Sequence, residues 1–429
     1  MRNYSSEKGQ ALIIIALAAV MLFSFAALAI DGSMVFSDKR HAQNAADTAA
    51  FAGALAYTRN NPSGDDDDDD DDGINVIRNA AQARATSNGY DNGPTNDVNI
   101  SATDVPADEC PSGTGLDIIV TILSHVDTTF ARVIGRNQVT NQVSATTRVC
   151  GRYNGPPFNG NAIVSLAPSG VGYDAHGTPI WFITGGGIFS NSASNPAAIC
   201  GGNAGVNVPS VTSVGTTDFS CHTVNIPPGS TTTGATQLTY SNYSSLLPRQ
   251  PACNGTATPS GGQWHPQAGA DGSRVAFNAD MDFAPGLYCV TNSPGPYNGT
   301  ISGSEVTFYM LSSSFSMKFA GGGNLTASAP ASGEYKGILI YLAPQVDANG
   351  NLLNTQAIDL RGNGSSDIIG TIIAPSADVT MFGNSGTSAI NSQVIGYQVD
   401  TGGNADITVA YQDDDNYQVD IPMTLTLLK

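Results

Sequence analysis

The sequence predicts a chain in three parts: an N-terminal transmembrane helix, a small α+β domain, and a C-terminal all-β region built as a right-handed parallel β-helix or β-solenoid. Three observations lead there. Ala11 to Ile30 are twenty residues without a charge, which at about 1.5 Å rise per residue cover about 30 Å, the thickness of a bilayer core. Residues 74–150 alternate helical and strand patterns over the length of an ordinary small domain. Beyond Cys150 a Gly-Asn pair returns at nearly constant intervals among short strand patterns, the mark of a stacked repeat.

The apolar span continues into an alanine-rich helical pattern, and 1–58 read as one transmembrane and alanine-rich helical segment. In its second half the small residues Ala42, Ala46, Ala49, Gly53 and Ala56 fall on one helix face. Side chains this small let a second helix backbone approach closely. Ala27-Leu28-Ala29 offers a signal-peptidase site, but the long apolar core and the unbroken helix favour a retained anchor. The following 59–73 hold Asp65 to Asp72, a run of like charges that repels itself into an extended linker. A homopolymer lacks the spaced ligand geometry that calcium requires.

From Ile74 to Asn88 the pattern is helical, with Ile74, Ile77, Ala81 and Ala85 on one face. Strands are expected at Asp97–Thr103, Leu116–Leu123 and Gln138–Val149 from their alternation. A short helix, Thr128–Ile134, is expected between the last two, capped by Asp127 and closed by Gly135.

Gly151–Pro157 reads as the domain boundary, leaving 151–429 as the solenoid region. Its repeat is Ile358-Asp359-Leu360-Arg361-Gly362-Asn363, then Val379 to Gly383-Asn384, then Val399 to Gly403-Asn404, with an earlier copy ending Gly323-Asn324. Gly362, Gly383 and Gly403 suit the turns, and Asn363, Asn384 and Asn404 suit an amide ladder along the axis. A β-sandwich is the alternative architecture.

Composition narrows the function. Net charge is −19 and charged residues make up 12% of the chain, which argues against nucleic acid, whose phosphates need clustered Lys and Arg. The six cysteines, Cys110, Cys150, Cys200, Cys221, Cys253 and Cys289, form no Cys-x-x-Cys pair. Beyond a membrane anchor they suit disulfides better than zinc. Neighbour pairing is the simplest of several possible patterns.

Glu7-Lys8-Gly9-Gln10, the apolar span, Asp31-Gly32 and Gln43 to Ala54 together resemble the N-terminal region of TadE/TadG-like proteins of Flp (tight adherence) pilus assembly. The resemblance covers the first 57 residues. It implies a pilin-like α+β domain after the anchor, and as partners the membrane and other pilus-assembly or pilin-like subunits. Prepilin-like processing in this wider group places Glu five residues after the Gly. Ile14 stands there instead, which favours a permanent anchor. The expected topology is single-pass, N-terminus cytoplasmic and C-terminal domains extracytoplasmic.

No catalytic, cofactor or metal site is expected. The five histidines are scattered without ligand spacing, and no Gly-x-Ser-x-Gly or P-loop occurs. Asp359 and Asp400 share one place in the repeat with Thr380 between them. The leading expectation is therefore a non-enzymatic assembly or adhesion component. The alternative is a secreted solenoid that binds or cleaves polysaccharide, with Trp181, Trp264 and Tyr288 against surface glycans.

Overall fold

A computed structural model describes residues 8–61, 71–278, 280–292, 299–311, 316–319, 323–363, 367–385 and 388–428. Asp65–Asp70, the middle of the Gly323-Asn324 copy, and the side chains of Arg361, Asn363 and Asn384 lie outside what is described. The chain forms two units, residues 1–153 with 421–429, and residues 154–420.

The first unit begins with one continuous helix, α1 (Lys8–Asn60). A second, α2 (Asp71–Ser87), precedes strands β1 (Asn96–Asp104), β2 (Gly115–Asp127) and β3 (Gln138–Cys150). These strands pair antiparallel in order, and the C-terminal strand Thr424–Leu428 adds antiparallel to the free edge of β3. Alternation along β2 sends Ile118, Val120 and Ile122 fully into the core, as period two requires on a sheet with one covered face. The helices cover that face. Ala42, Ala46 and Ala49 are fully buried, and a Cβ on Gly53 would meet Ile77 and Ala81 of α2 at 3.2–3.4 Å. Gly53 of the small-residue face thus lies against the next helix of the same chain, while Ala42, Ala46 and Ala49 share one buried cluster with Ala81 and Ala85 of that helix and with Val120, Ile122 and Val143 of the sheet.

Two sequence boundaries move. The last nine residues, read as part of the solenoid, belong to the first unit because Thr424–Leu428 completes its sheet. The segment read as a linker to Gly73 ends earlier, because α2 already starts at Asp71.

The second unit is a β-solenoid of about ten turns. Among the described pairings of its two long sheets, all but the antiparallel pair Thr258–Ser260 with Gln263–His265 are parallel, which excludes the sandwich alternative. In the stack Ile358 pairs with Val379 and Val379 with Val399, and Gly362 pairs with Gly383 and Gly383 with Gly403, while a register shift sets Asn363 opposite Ser385 rather than Asn384. Gly403 has φ +113° and lies against the Gly383 carbonyl, so two coils touch where a side chain would intrude. Asn404 is exposed, and its backbone N–H donates to the Gly383 carbonyl at 2.7 Å.

The stacking order departs from the chain order. Along one face the strands begin, from end to end, at residues 255, 273, 286, 306, 338, 371 and 394, and then at 163, 188, 211 and 231. A second face shows the same jump, from 407 to 180. The solenoid is therefore circularly permuted. The chain enters in the middle, builds outward to residue 232, crosses to the far end, and winds back until Val394–Gly403 lies beside Ile163–Ser165. That path puts both ends of the unit on neighbouring coils, which suits a domain inserted into another. The crossing spans ten strand spacings of about 4.8 Å, about 48 Å in all; residues 233–254 fully extended reach about 70 Å.

The crossover is fastened along its length. Asn191 exchanges hydrogen bonds with Leu238 at 2.7 and 2.8 Å, and Tyr243 is buried against Phe158. Tyr341 Oη donates to the Pro248 carbonyl at 2.9 Å. The Arg249 guanidinium pairs with Asp271 at 3.0 Å and Glu334 at 2.6 Å, holding both carboxyls below the usual range. Disulfide Cys253–Cys289 then pins the first coil.

At the seam, where the last coil meets the first-threaded one, Gly185 has φ +78° and stands against the Tyr411 carbonyl. Gly185→Val is expected to destabilise the solenoid by about 3 kcal/mol, through backbone strain plus overpacking. Thermal unfolding of the variant beside the native chain checks this, and an unchanged Tm would mean the seam is not packed as described.

Candidate functional site

The most specific constellation in the first unit lies where α1 leaves its apolar span. From Ile13 to Ile30 the helix is apolar on all sides, with mean hydropathy 2.8 in its best window and no burial there. Phe23 is 75% exposed. Such a surface is compatible with lipid and unfavourable in water.

The next residue, Asp31, is buried. Its carboxylate accepts backbone N–H groups from Thr129 at 2.9 Å, Phe130 at 3.0 Å and Ala131 at 2.7 Å. Burial pushes its pKa up, and these three donors outweigh that and hold it below the ordinary carboxyl value. The expected cap was Asp127, on a short helix from Thr128. The structure instead has a 3₁₀ turn, Ala131–Ile134, whose leading N–H groups are taken by Asp31 from α1. Asp127 ends β2 and accepts the Gln138 side-chain amide at 2.9 Å.

Two turns on, Asp38 accepts from Ser124 Oγ at 3.0 Å, Asn141 Nδ2 at 2.7 Å and Tyr90 Oη at 3.3 Å. Burial, then the Asp38 charge, pushes the Tyr90 hydroxyl up to about 12. Asn141 Nδ2 also donates to the Val35 carbonyl at 2.9 Å, and Gln43 Nε2 to the Ser144 carbonyl at 3.1 Å. A row of polar contacts on one helix face thus rivets α1 across β2 and β3, just above the buried alanines. In the sequence Asp31 enters only through the Asp31-Gly32 pair of the family resemblance, and Asp38 does not stand out. Their seven-residue separation, which returns them to one face of the packing helix, was the available signal.

The cysteines pair as Cys110–Cys150, Cys200–Cys221 and Cys253–Cys289. The first joins the segment before β2 to the end of β3, and the second ties neighbouring coils.

Among the described residues of the second unit, one group could hold a divalent ion: Asp174, His176 and Asp400. Sequence spacing hid it, because Asp174 and Asp400 become direct neighbours only across the seam. His176 Nδ1 lies 3.0 Å from Asp400 Oδ1 and 3.8 Å from Asp174 Oδ1. Burial raises the Asp174 carboxyl pKa and the His176 charge opposes that. One imidazole nitrogen, His176 Nδ1, thus lies within ion-pair reach of both carboxylates. Asp359 and Thr380 continue the same column, as the repeat implied. Trp181 and Tyr288 are completely buried and Trp264 packs against the core, so Trp181 and Tyr288 present no face on which a sugar could stack.

These features define a class: a chain whose folded α+β unit is locked to an apolar helix of membrane length and carries a β-solenoid as an insertion. Residues 9–56 match the family described as putative Flp pilus-assembly TadE/G-like. No curated protein and no solved structure matches the chain. The matched stretch contains the apolar span, Asp31, Asp38 and the buried alanine face, so the family match and the rivet coincide. The family match and the apolar helix together support a membrane anchor.

Proposed function

We propose that the protein is a membrane-anchored, non-enzymatic component of Flp/Tad-type pilus assembly or surface adhesion. It crosses the membrane once, N-terminus cytoplasmic, and holds its solenoid on the extracytoplasmic side. The observation that carries this reading is the coincidence of residues 9–56, matched to the pilus-assembly family, with the helix that is both apolar enough to span a bilayer and locked to the sheet through Asp31. Three disulfides favour an oxidising compartment for the folded units. A rigid stacked module with a long side suits contact with other subunits or a surface. Deleting the gene is expected to reduce surface attachment at least tenfold, with piliation scored by electron microscopy. Wild-type piliation and attachment in the deletion strain would remove the basis for this role.

A further inference from the structure

We propose that the loop Thr128–Asn137 is a second membrane contact, seated in the phospholipid headgroup layer beside the anchor. The proposal rests on the membrane-anchored reading above. Asp31 directly follows Ile30, the last residue of the apolar span, and takes the backbone N–H groups of Thr129, Phe130 and Ala131. Those bonds fix the loop at the height where the span ends. The side chains it presents there are Phe130, 43% exposed, and Val133, 87% exposed. Arg132 and Arg136, also exposed, flank them.

On α1 itself Met34 and Phe36 are exposed as well, within about 9 Å of Ile30 along the axis at about 1.5 Å per residue. Apolar and aromatic side chains ringed by guanidinium groups are the chemistry of a membrane interface. The rings and aliphatic groups enter the boundary layer, and each guanidinium pairs with lipid phosphate oxygens. The loop holds this shape by its own bonds. Thr128 N–H donates to the Asn137 carbonyl at 3.0 Å, and Gly135, left-handed at φ 84°, closes the 3₁₀ turn. Val133 is therefore held outward by a closed turn, at the one level where lipid headgroups would meet it.

The test uses the full-length chain in nanodiscs of phosphatidylethanolamine and phosphatidylglycerol. All six native cysteines are in disulfides, so Val133→Cys can carry a single environment-sensitive fluorophore. Thr103→Cys is the control. It is exposed and in register with Asp117, ten residues along β2 from Asp127, or about 34 Å. At position 133 the emission is expected to shift to the blue, with quenching by lipid-attached nitroxide at least threefold stronger than at 103 and iodide quenching correspondingly weaker. Equal iodide quenching at the two positions overturns the proposal. So does shielding of position 133 from both quenchers, which would mean a protein covers the loop. A chain that does not enter nanodiscs at all refutes the anchor, and the loop contact with it; one that enters but leaves position 133 in water refutes the loop contact alone.

Discussion

Removing residues 8–30 is expected to move the protein from the membrane pellet to the soluble fraction almost completely, while the first unit keeps its fold. The deleted stretch supplies the whole apolar surface of α1 from Ile13 to Ile30, and none of that surface packs on the sheet. Its eleven Leu, Ile, Val and Phe residues at about 0.5 kcal/mol each contribute about 5 kcal/mol towards insertion. That is enough to shift partitioning by more than a thousandfold. What remains of the helix starts at Asp31 and retains the rivets through Asp31 and Asp38 and the buried Ala42, Ala46 and Ala49. Fractionation of cells expressing the truncated chain, read by immunoblot and followed by thermal unfolding of the soluble material, checks both halves of the expectation. A truncated protein still found in the membrane would mean that the loop at Val133 or another subunit suffices to hold it there. One that is soluble but unfolded would mean that the span stabilises the sheet.

Much of this architecture was legible because it depends on local periodicity. The span is a composition, β2 is an alternation, and the coils from 358 to 404 share a length, so their glycines fall into register in the sequence as they do in the stack. Four features were not legible, for different reasons. The alanine face announces close approach, but spacing gives no partner, and the face is covered by α2 and the sheet of the same unit together. The strand at Thr424–Leu428 reads like any other short strand; only the open edge of β3 gives it a destination. Asp31 carries no sign in its neighbours that it will cap a turn 100 residues away. The permutation was hidden most deeply. A repeat search compares segments in chain order, and the arm from 163 to 232 precedes in sequence the coils that it follows in space. The same reordering brings His176 to Asp400.

The permuted path makes a sharp expectation about the second unit alone. If the seam between Val394–Gly403 and Ile163–Ser165 is an ordinary coil interface, then a chain reading 255–420, a short linker, and 154–235 is a solenoid wound in one direction from end to end. It is expected to fold, with a Tm roughly 10 °C below that of the excised native-order unit, because solenoid stability is a sum over neighbouring coils and both orders keep every strand pairing. It loses the crossover, with its buried Tyr243 and its Arg249 clamp, whose exposed ion pairs are worth little individually. It also loses the Cys253–Cys289 clip, which is the main reason for the expected drop. The arm 154–235 by itself is expected to be unfolded. It holds only the coils beginning at 163, 188, 211 and 231, and its seam face, with Ile163 and Trp181 completely buried in the full unit, would be open to water. Circular dichroism and thermal melts of the rewound chain, the native-order unit and the arm compare the three directly. A rewound chain that fails to fold would show that the crossover directs assembly. An arm that folds alone would show that the seam joins two independent solenoids, each with its own stability.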